Sequence, residues 1–258
     1  MVLPIKRTII YGPINSRRLG FSLGINLTPQ GKKYCDFDCL YCHYGKTEYH
    51  KLNPDDDDIF PEMENVLTEI EMALRSDVEF SYLTFSGNGE PTLYPRFKEL
   101  TYEVNRLARK IRPYVKVTLL SNSSTCRRNS FIKSLEYIDL PIMKLDVGNP
   151  SLFKRINRPV EDLDFYEIVD GLVDLPNITI QSLFLEGDPD NTTDKALNDW
   201  FTCLQKIRPQ HIQIYTLDRP FADKDRYGLV QIKKVPEEKM VKVVETGRER
   251  FGFKMDRY

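Results

Sequence analysis

The sequence predicts an α/β fold built as a partial (β/α)6 barrel of the TIM type. Short runs that alternate with period two, or stay apolar throughout, are separated by longer segments with apolar residues at helical spacing. Such alternation implies a parallel sheet covered by helices. No internal repeat or linker interrupts it. Polar residues gather at the C-terminal ends of the strands, where α/β barrels place their sites. Six strand–helix units, rather than eight, leave the barrel partial. The expected layout is a lead-in over residues 1–22 and one barrel domain over 23–258.

Leu23, Ile25 and Leu27 alternate with Gly24, Asn26 and Thr28, which gives the first barrel strand. The charge run Pro54-Asp55-Asp56-Asp57-Asp58 reads as a solvated loop whose last aspartates favour the next helix N-terminus. Met63, Val66, Leu67, Ile70 and Leu74 then predict a helix over 60–75. Strand two, Tyr82 to Phe85, runs into Ser86-Gly87-Asn88-Gly89-Glu90-Pro91, and its glycines let a ligand approach the backbone. A helix over 95–111 leads to strand three at 115–120, which ends at Ser121-Asn122-Ser123-Ser124. Small polar residues there can bind a ribose or carboxylate, or cap the next helix.

Strand four, over 142–147, has an apolar face of Met143, Leu145 and Val147 and a charged face of Lys144 and Asp146. A parallel strand buried on both sides should be nearly all apolar. Two charges on it must pair with each other or bind something. A helix over 161–174 precedes strand five at 178–184, which carries Gln181 and Ser182 in its middle. The helix over 192–206 holds Trp200, the single tryptophan. Strand six, over 212–217, puts Gln213 and Tyr215 on one face and is closed by Asp218-Arg219-Pro220. A last helix covers 236–250.

The 258 residues are enough for one large domain with a full core. A net charge of −1 gives no general attraction to nucleic acid or membrane. No apolar run approaches the ~20 residues that span a bilayer. The opening residues lack a signal-peptide core, and the expected location is the cytoplasm, which keeps thiols reduced.

Three of the five cysteines fall within eight residues, Cys35-Asp36-Phe37-Asp38-Cys39-Leu40-Tyr41-Cys42, spaced C-x3-C-x2-C. Three thiolates on one loop can hold three irons of a [4Fe–4S] cube, and no fourth cysteine lies nearby to saturate it. Zinc with a histidine as fourth ligand is the competing reading. His43 would have difficulty turning back to the same ion, whereas His50 could reach it. An odd count of five argues against a disulfide framework, and Cys126 and Cys203 read as structural.

This spacing, with Tyr41 just before the last cysteine, resembles the cluster loop of the radical S-adenosylmethionine (SAM) enzymes. The resemblance implies that Cys35, Cys39 and Cys42 hold the cluster and that SAM chelates the open iron. Electron transfer then cleaves SAM to a 5′-deoxyadenosyl radical. Gly87, Asn88, Gly89 and Glu90 resemble the family's glycine–glycine–glutamate motif, which binds the methionine amino group of SAM, although Asn88 interrupts the glycines. The resemblance likewise implies SAM contacts at Tyr41, Asn122, Lys144 (carboxylate), Asp146 (ribose), Gln181, Tyr215 and Leu217 (adenine).

The stretch from Tyr11 to Asn26, the Lys144-Leu145-Asp146 run and the segment Phe153 to Pro159 resemble one subgroup. These are the iron–sulfur oxidoreductases grouped with the wyosine-forming tRNA enzymes. Arg17, Arg18, Arg158 and Arg219 are then candidate substrate contacts. The wyosine-forming enzymes carry further cysteines for a second cluster, and this chain has no second set. The partners implied are a one-electron reductant such as flavodoxin or ferredoxin and an RNA or protein substrate, with no membrane; a small-molecule substrate is equally compatible. A glycyl-radical-activating reaction on a protein partner is one alternative. A zinc-stabilised binding module and a non-catalytic iron–sulfur electron carrier are the alternatives from other classes.

Overall fold

A computed structural model describes residues 3–28, 31–54, 60–217 and 231–258. The aspartate run at 55–58 and Arg219 lie outside the described residues. The chain divides into two compact units. The first comprises Pro4–Asp36 and Thr47–Ile142; the second comprises Phe37–Lys46 and Met143–Tyr258, with Leu3.

In the first unit, strands β1 (Ile10–Ser16), β2 (Gly20–Asn26), β3 (Tyr82–Ser86) and β4 (Lys116–Ser121) are hydrogen-bonded in that order. β2, β3 and β4 are parallel, and β1 returns antiparallel on β2. Helices α1 (Met63–Arg75), α2 (Phe97–Ile111) and α3 (Asn129–Ser134) complete the unit. In α1, Val66, Ile70 and Leu74 recur every four residues and are buried. In α2, Leu100, Val104 and Ala108 do the same. Alternate strand residues Leu23, Ile25, Leu83, Phe85, Val117 and Leu119 are buried with them. The opposite strand face includes Ser22, Thr84 and Thr118, with the Ser22 and Thr84 hydroxyls hydrogen-bonded at 2.6 Å.

The second unit holds the end of β5 (Leu140–Lys144), then β6 (Thr179–Phe184), β8 (His211–Thr216) and β10 (Met255–Arg257) in that sheet order. β6, β8 and β10 are parallel, with Thr179 opposite His211 and Ile212 opposite Met255. A separate antiparallel pair, β7 (Glu186–Asp188) and β9 (Gln231–Lys233), follows β6. The helices are α4 (Pro150–Ile156), α5 (Phe165–Val173), α6 (Asp194–Ile207) and α7 (Glu237–Phe251). Trp200 of α6 is fully buried, 5.0 Å from Phe184, and donates its indole N–H to the Leu145 carbonyl at 3.0 Å.

Besides the β7–β9 pair and α3, for which the sequence predicts no range, four elements differ from the sequence expectation. The lead-in contains β1, whose turn at Arg17-Arg18 is closed by Ser16 Oγ accepting the Arg18 and Leu19 N–H groups. β10 adds a parallel strand beyond strand six. The segment after Gly148 is the helix α4, with Asn149 capping Leu152 N at 2.9 Å and Pro150 at the first helical position. Strand four ends at Lys144 rather than Val147. Leu145 N still reaches the Gln181 carbonyl at 3.1 Å, but the Asn191 side-chain amide then takes the Asp146 and Leu183 carbonyls, 2.8 Å from each.

Candidate functional site

None of the five cysteines is in a disulfide. In the first unit, Cys35 sits at the end of a segment anchored by backbone: its N–H reaches the Tyr49 carbonyl at 3.1 Å, and the Tyr34 carbonyl accepts from Glu90 N at 3.1 Å. The turn after β3 therefore lies against the start of the cysteine loop. Gly89 is required there, because a Cβ would lie 1.6 Å from the Tyr34 carbonyl oxygen. Asn88 is fully buried, and its side chain pairs with both backbone groups of Lys6, each at 2.8 Å.

Glu90 and Asp36 are buried carboxyls in this unit. Glu90 Oε1 accepts from Thr92 N at 3.0 Å and Thr92 Oγ1 at 2.7 Å, and Oε2 accepts from Asn122 N at 2.6 Å. Burial raises the Glu90 carboxyl to about 7, and the neighbouring Asp36 adds to the rise. Burial also raises Asp36, against hydrogen bonding that favours its charged form. Asn122 joins these groups. Its Nδ2 donates to Asp36 Oδ1 at 2.5 Å and to Cys35 Sγ at 3.7 Å, and its Oδ1 accepts from Ser124 N at 2.9 Å. His50 Nε2 lies 3.2 Å from the Asp36 carbonyl.

In the second unit, the chain after α4 zips onto the other part of the loop. Asp38 N donates to the Asn157 and Arg158 carbonyls, at 3.1 and 3.0 Å, and Leu40 N to the Ile156 carbonyl at 2.9 Å. Phe37 packs edge-on against Phe153 at 5.2 Å. Cys42 N closes a turn onto the Cys39 carbonyl at 3.1 Å. Arg158 contributes its carbonyl from a left-handed backbone position, φ 48°.

Asp146 organises the side chains here. Its Oδ2 accepts from the Tyr41 hydroxyl and from Asn157 Nδ2 at 2.7 Å. Its Oδ1 accepts from Leu183 N at 2.8 Å and lies 3.4 Å from Lys144 Nζ. Lys144 also donates to the Tyr215 hydroxyl at 3.0 Å and stands about 5 Å from the Tyr41 and Tyr215 ring centres. Burial pulls the Lys144 pKa down, but Asp146 and Tyr215 outweigh it and the ammonium is held. Burial and the Asp146 charge keep the Tyr41 phenol neutral. Asn157 Nδ2 lies 3.7 Å from Cys39 Sγ. Gln181 and Gln213 face each other at 3.4 Å on adjacent strands, and Leu217 is buried just past β8.

Arg17 and Arg18 occupy the β1–β2 turn, at the start of β2; the cysteine loop follows the other end of that strand. Seven residues at about 3.3 Å each separate the two ends by roughly 20 Å. Sequence reasoning missed Asn157 and Asn191. Asn157 stood inside the Phe153–Pro159 segment, whose only singled-out residue was Arg158.

The Radical SAM superfamily description matches residues 32–199. The chain belongs to the radical SAM superfamily. It is 31% identical over 218 residues to a protein named GTPase Obg from Brachyspira hyodysenteriae, covering 83% of this chain and 31% of that one. It is 30% identical over 218 residues to a UPF0026 protein of Helicobacter pylori strain J99, covering 82% and 67%. The chain thus spans about a third of the first relative and two thirds of the second. Among solved structures, TYW1 with a lysine-pyruvate adduct bound aligns at TM-score 0.59 and 14% identity, covering 90% of this chain and 74% of that one. Native anSMEcpe with bound AdoMet aligns at TM-score 0.60 and 16% identity, covering 91% and 63%.

These likenesses establish the fold, a mixed α/β radical SAM architecture with a mostly parallel sheet, as the alternating pattern predicts. Membership of the superfamily implies SAM cleavage with an iron–sulfur cluster, for which these enzymes need an electron donor. Among the described residues, no helix is long and apolar enough to cross a membrane.

Proposed function

We propose that this radical SAM protein holds a [4Fe–4S] cluster through Cys35, Cys39 and Cys42, cleaves SAM, and abstracts hydrogen from a carbon of its substrate. The observation that carries this is the loop itself: three cysteines in eight residues, none of them in a disulfide. Thiolates are the ligands that iron–sulfur clusters take. When bound, the cluster supplies the electron that cleaves SAM to the 5′-deoxyadenosyl radical. Flavodoxin or ferredoxin is the reductant we propose.

The chain's own residues hold, orient and exclude water. Gly87 and Gly89 let the turn after β3 pack closely on Asn26 and the Tyr34 carbonyl, which sets that turn beside the loop. Lys144, held as an ammonium, is a charge complement for the SAM carboxylate. Gln181, Tyr215 and Leu217 supply polar and apolar surface for the rest of the cofactor. Asn122, Asp146 and Tyr41 fix the loop, whatever further contact they make.

One observation favours a cluster over a zinc staple. The histidine best placed by sequence to complete a zinc site, His50, faces the Asp36 carbonyl.

Cys35→Ala, Cys39→Ala and Cys42→Ala test the proposal after anaerobic reconstitution. Each should lose cluster iron and sulfide and all 5′-deoxyadenosine formation. Turnover at the wild-type rate in any one of them would contradict it.

A further inference from the structure

Two asparagines stand in matching positions, one in each unit. Each side-chain amide nitrogen faces a loop sulfur and a buried aspartate together. Asn122 Nδ2 lies 3.7 Å from Cys35 Sγ and 2.5 Å from Asp36 Oδ1. Asn157 Nδ2 lies 3.7 Å from Cys39 Sγ, 2.7 Å from Asp146 Oδ2 and 3.4 Å from the Tyr41 hydroxyl oxygen. An amide NH₂ has two hydrogens, so one can serve the carboxylate and the other the sulfur, which at Asn157 shares it with the Tyr41 oxygen.

The carboxylates decide which way each amide points. Turning Asn157 over would set its carbonyl oxygen against Asp146; as it stands, its Oδ1 is buried with no hydrogen-bond partner among the described residues. Asn122 is fixed from both ends, because its Oδ1 accepts from Ser124 N at 2.9 Å while Nδ2 faces Asp36. Both asparagines are at least nine-tenths buried, so water does not compete for these hydrogens.

We infer that Asn122 and Asn157 are positioning residues for the cluster thiolates: each donates an N–H···S hydrogen bond whose direction a buried aspartate enforces, and together they raise the cluster's reduction potential. The inference rests on the cluster reading above. Hydrogen bonds to the sulfurs are among the factors that set cluster potentials, and partners of this kind orient metal ligands. Reduction adds negative charge to the cluster and its thiolates. An N–H dipole aimed at sulfur stabilises that charge, so removing it makes reduction harder.

The test is redox potentiometry on the full chain, reconstituted anaerobically, comparing wild type with Asn122→Ala, Asn157→Ala and Asn157→Ser. Serine keeps a hydroxyl beside Asp146 but is too short to reach the sulfur, so it serves if the alanine variant fails to fold. Iron and sulfide are counted in every sample. The expected result is full loading with a reduction equilibrium constant lowered about tenfold per asparagine, which is 59 mV for one electron. Fe–S(Cys) stretching bands should shift in D₂O for the wild type and shift less in each variant. Loaded variants with the wild-type potential and D₂O shift would overturn this inference alone. A wild-type chain that takes up no iron and sulfide would overturn the cluster reading, and this inference with it.

Discussion

At Cys35 the supporting carboxyls are Asp36 and Glu90, tied to the loop by Asn122. At Cys39 the supporting carboxylate is Asp146, tied to the loop by Asn157 and Tyr41 and paired with Lys144. Both ends use an asparagine between a carboxyl and a thiol, but the electrostatic solutions differ. The Cys35 end sets two acids near each other, and burial pushes both upward, Glu90 to about 7. The Cys39 end balances its acid with a lysine held protonated. Proton uptake near neutrality therefore belongs to the first end, and charge balance to the second.

The largest way to break this contrast is Asp146→Ala. It removes the acceptor of Tyr41, Asn157, Leu183 N and Lys144 together, leaving a buried charge without its counterion. The expected loss is about 3–5 kcal/mol, read from denaturant midpoints. A loss under about 1 kcal/mol would mean that the second end is not held through Asp146.

The next effect is specific to the first end and depends on pH. A carboxyl at about 7 in the folded state and 4.5 when unfolded binds more protons folded. Stability is then greatest below pH 4.5 for this group and falls as pH rises through 7. The full swing is about 3 kcal/mol at roughly 1.4 kcal/mol per pH unit. Glu90→Gln should be less stable at acid pH, because it faces the Asn122 N–H with a donor, and should flatten the decline between pH 5 and 8. An unchanged slope would assign the proton to another group.

Glycine substitutions compare the two units sterically. In Gly89→Ala the new Cβ would lie 1.6 Å from the Tyr34 carbonyl oxygen; in Gly148→Ala it would lie 2.1 Å from the α6 backbone at Asp199 and Trp200. Both meet main chain, which cannot rotate away, so each should lose about 1–3 kcal/mol. Gly89→Ala should also loosen iron retention, because the displaced carbonyl is next to Cys35. The smallest effect is expected at the exposed Glu71–Arg75 pair on α1, 2.8 Å apart. Glu71→Ala should cost less than about 0.5 kcal/mol. A larger cost would show that surface pairs matter as much as the buried networks.

The cysteine loop, the strand–helix alternation and the charged pair Lys144–Asp146 were legible in the sequence, because local spacing and period carry them. β1 was not: Gly12-Pro13 punctuates it like a loop, and its pairing with β2 shifts register between Tyr11 and Ile14. β10 is three residues long, too short for period two to register. Asn149-Pro150 was a readable helix start that the segment's wider resemblance obscured. The role of Asn157 could not be read locally. Its partners Cys39 and Asp146 are 118 and 11 residues away, and only the fold brings them together. The same holds for Asn122 with Cys35, 87 residues apart.

The most direct test of the central claim is anaerobic iron and sulfide analysis of the wild-type chain, followed by dithionite and SAM and measurement of 5′-deoxyadenosine. The expected result is about four irons and four sulfides per chain, as a [4Fe–4S] cube requires, and 5′-deoxyadenosine that depends on reductant. Zinc without sulfide, or a full cluster that leaves SAM intact, would contradict it.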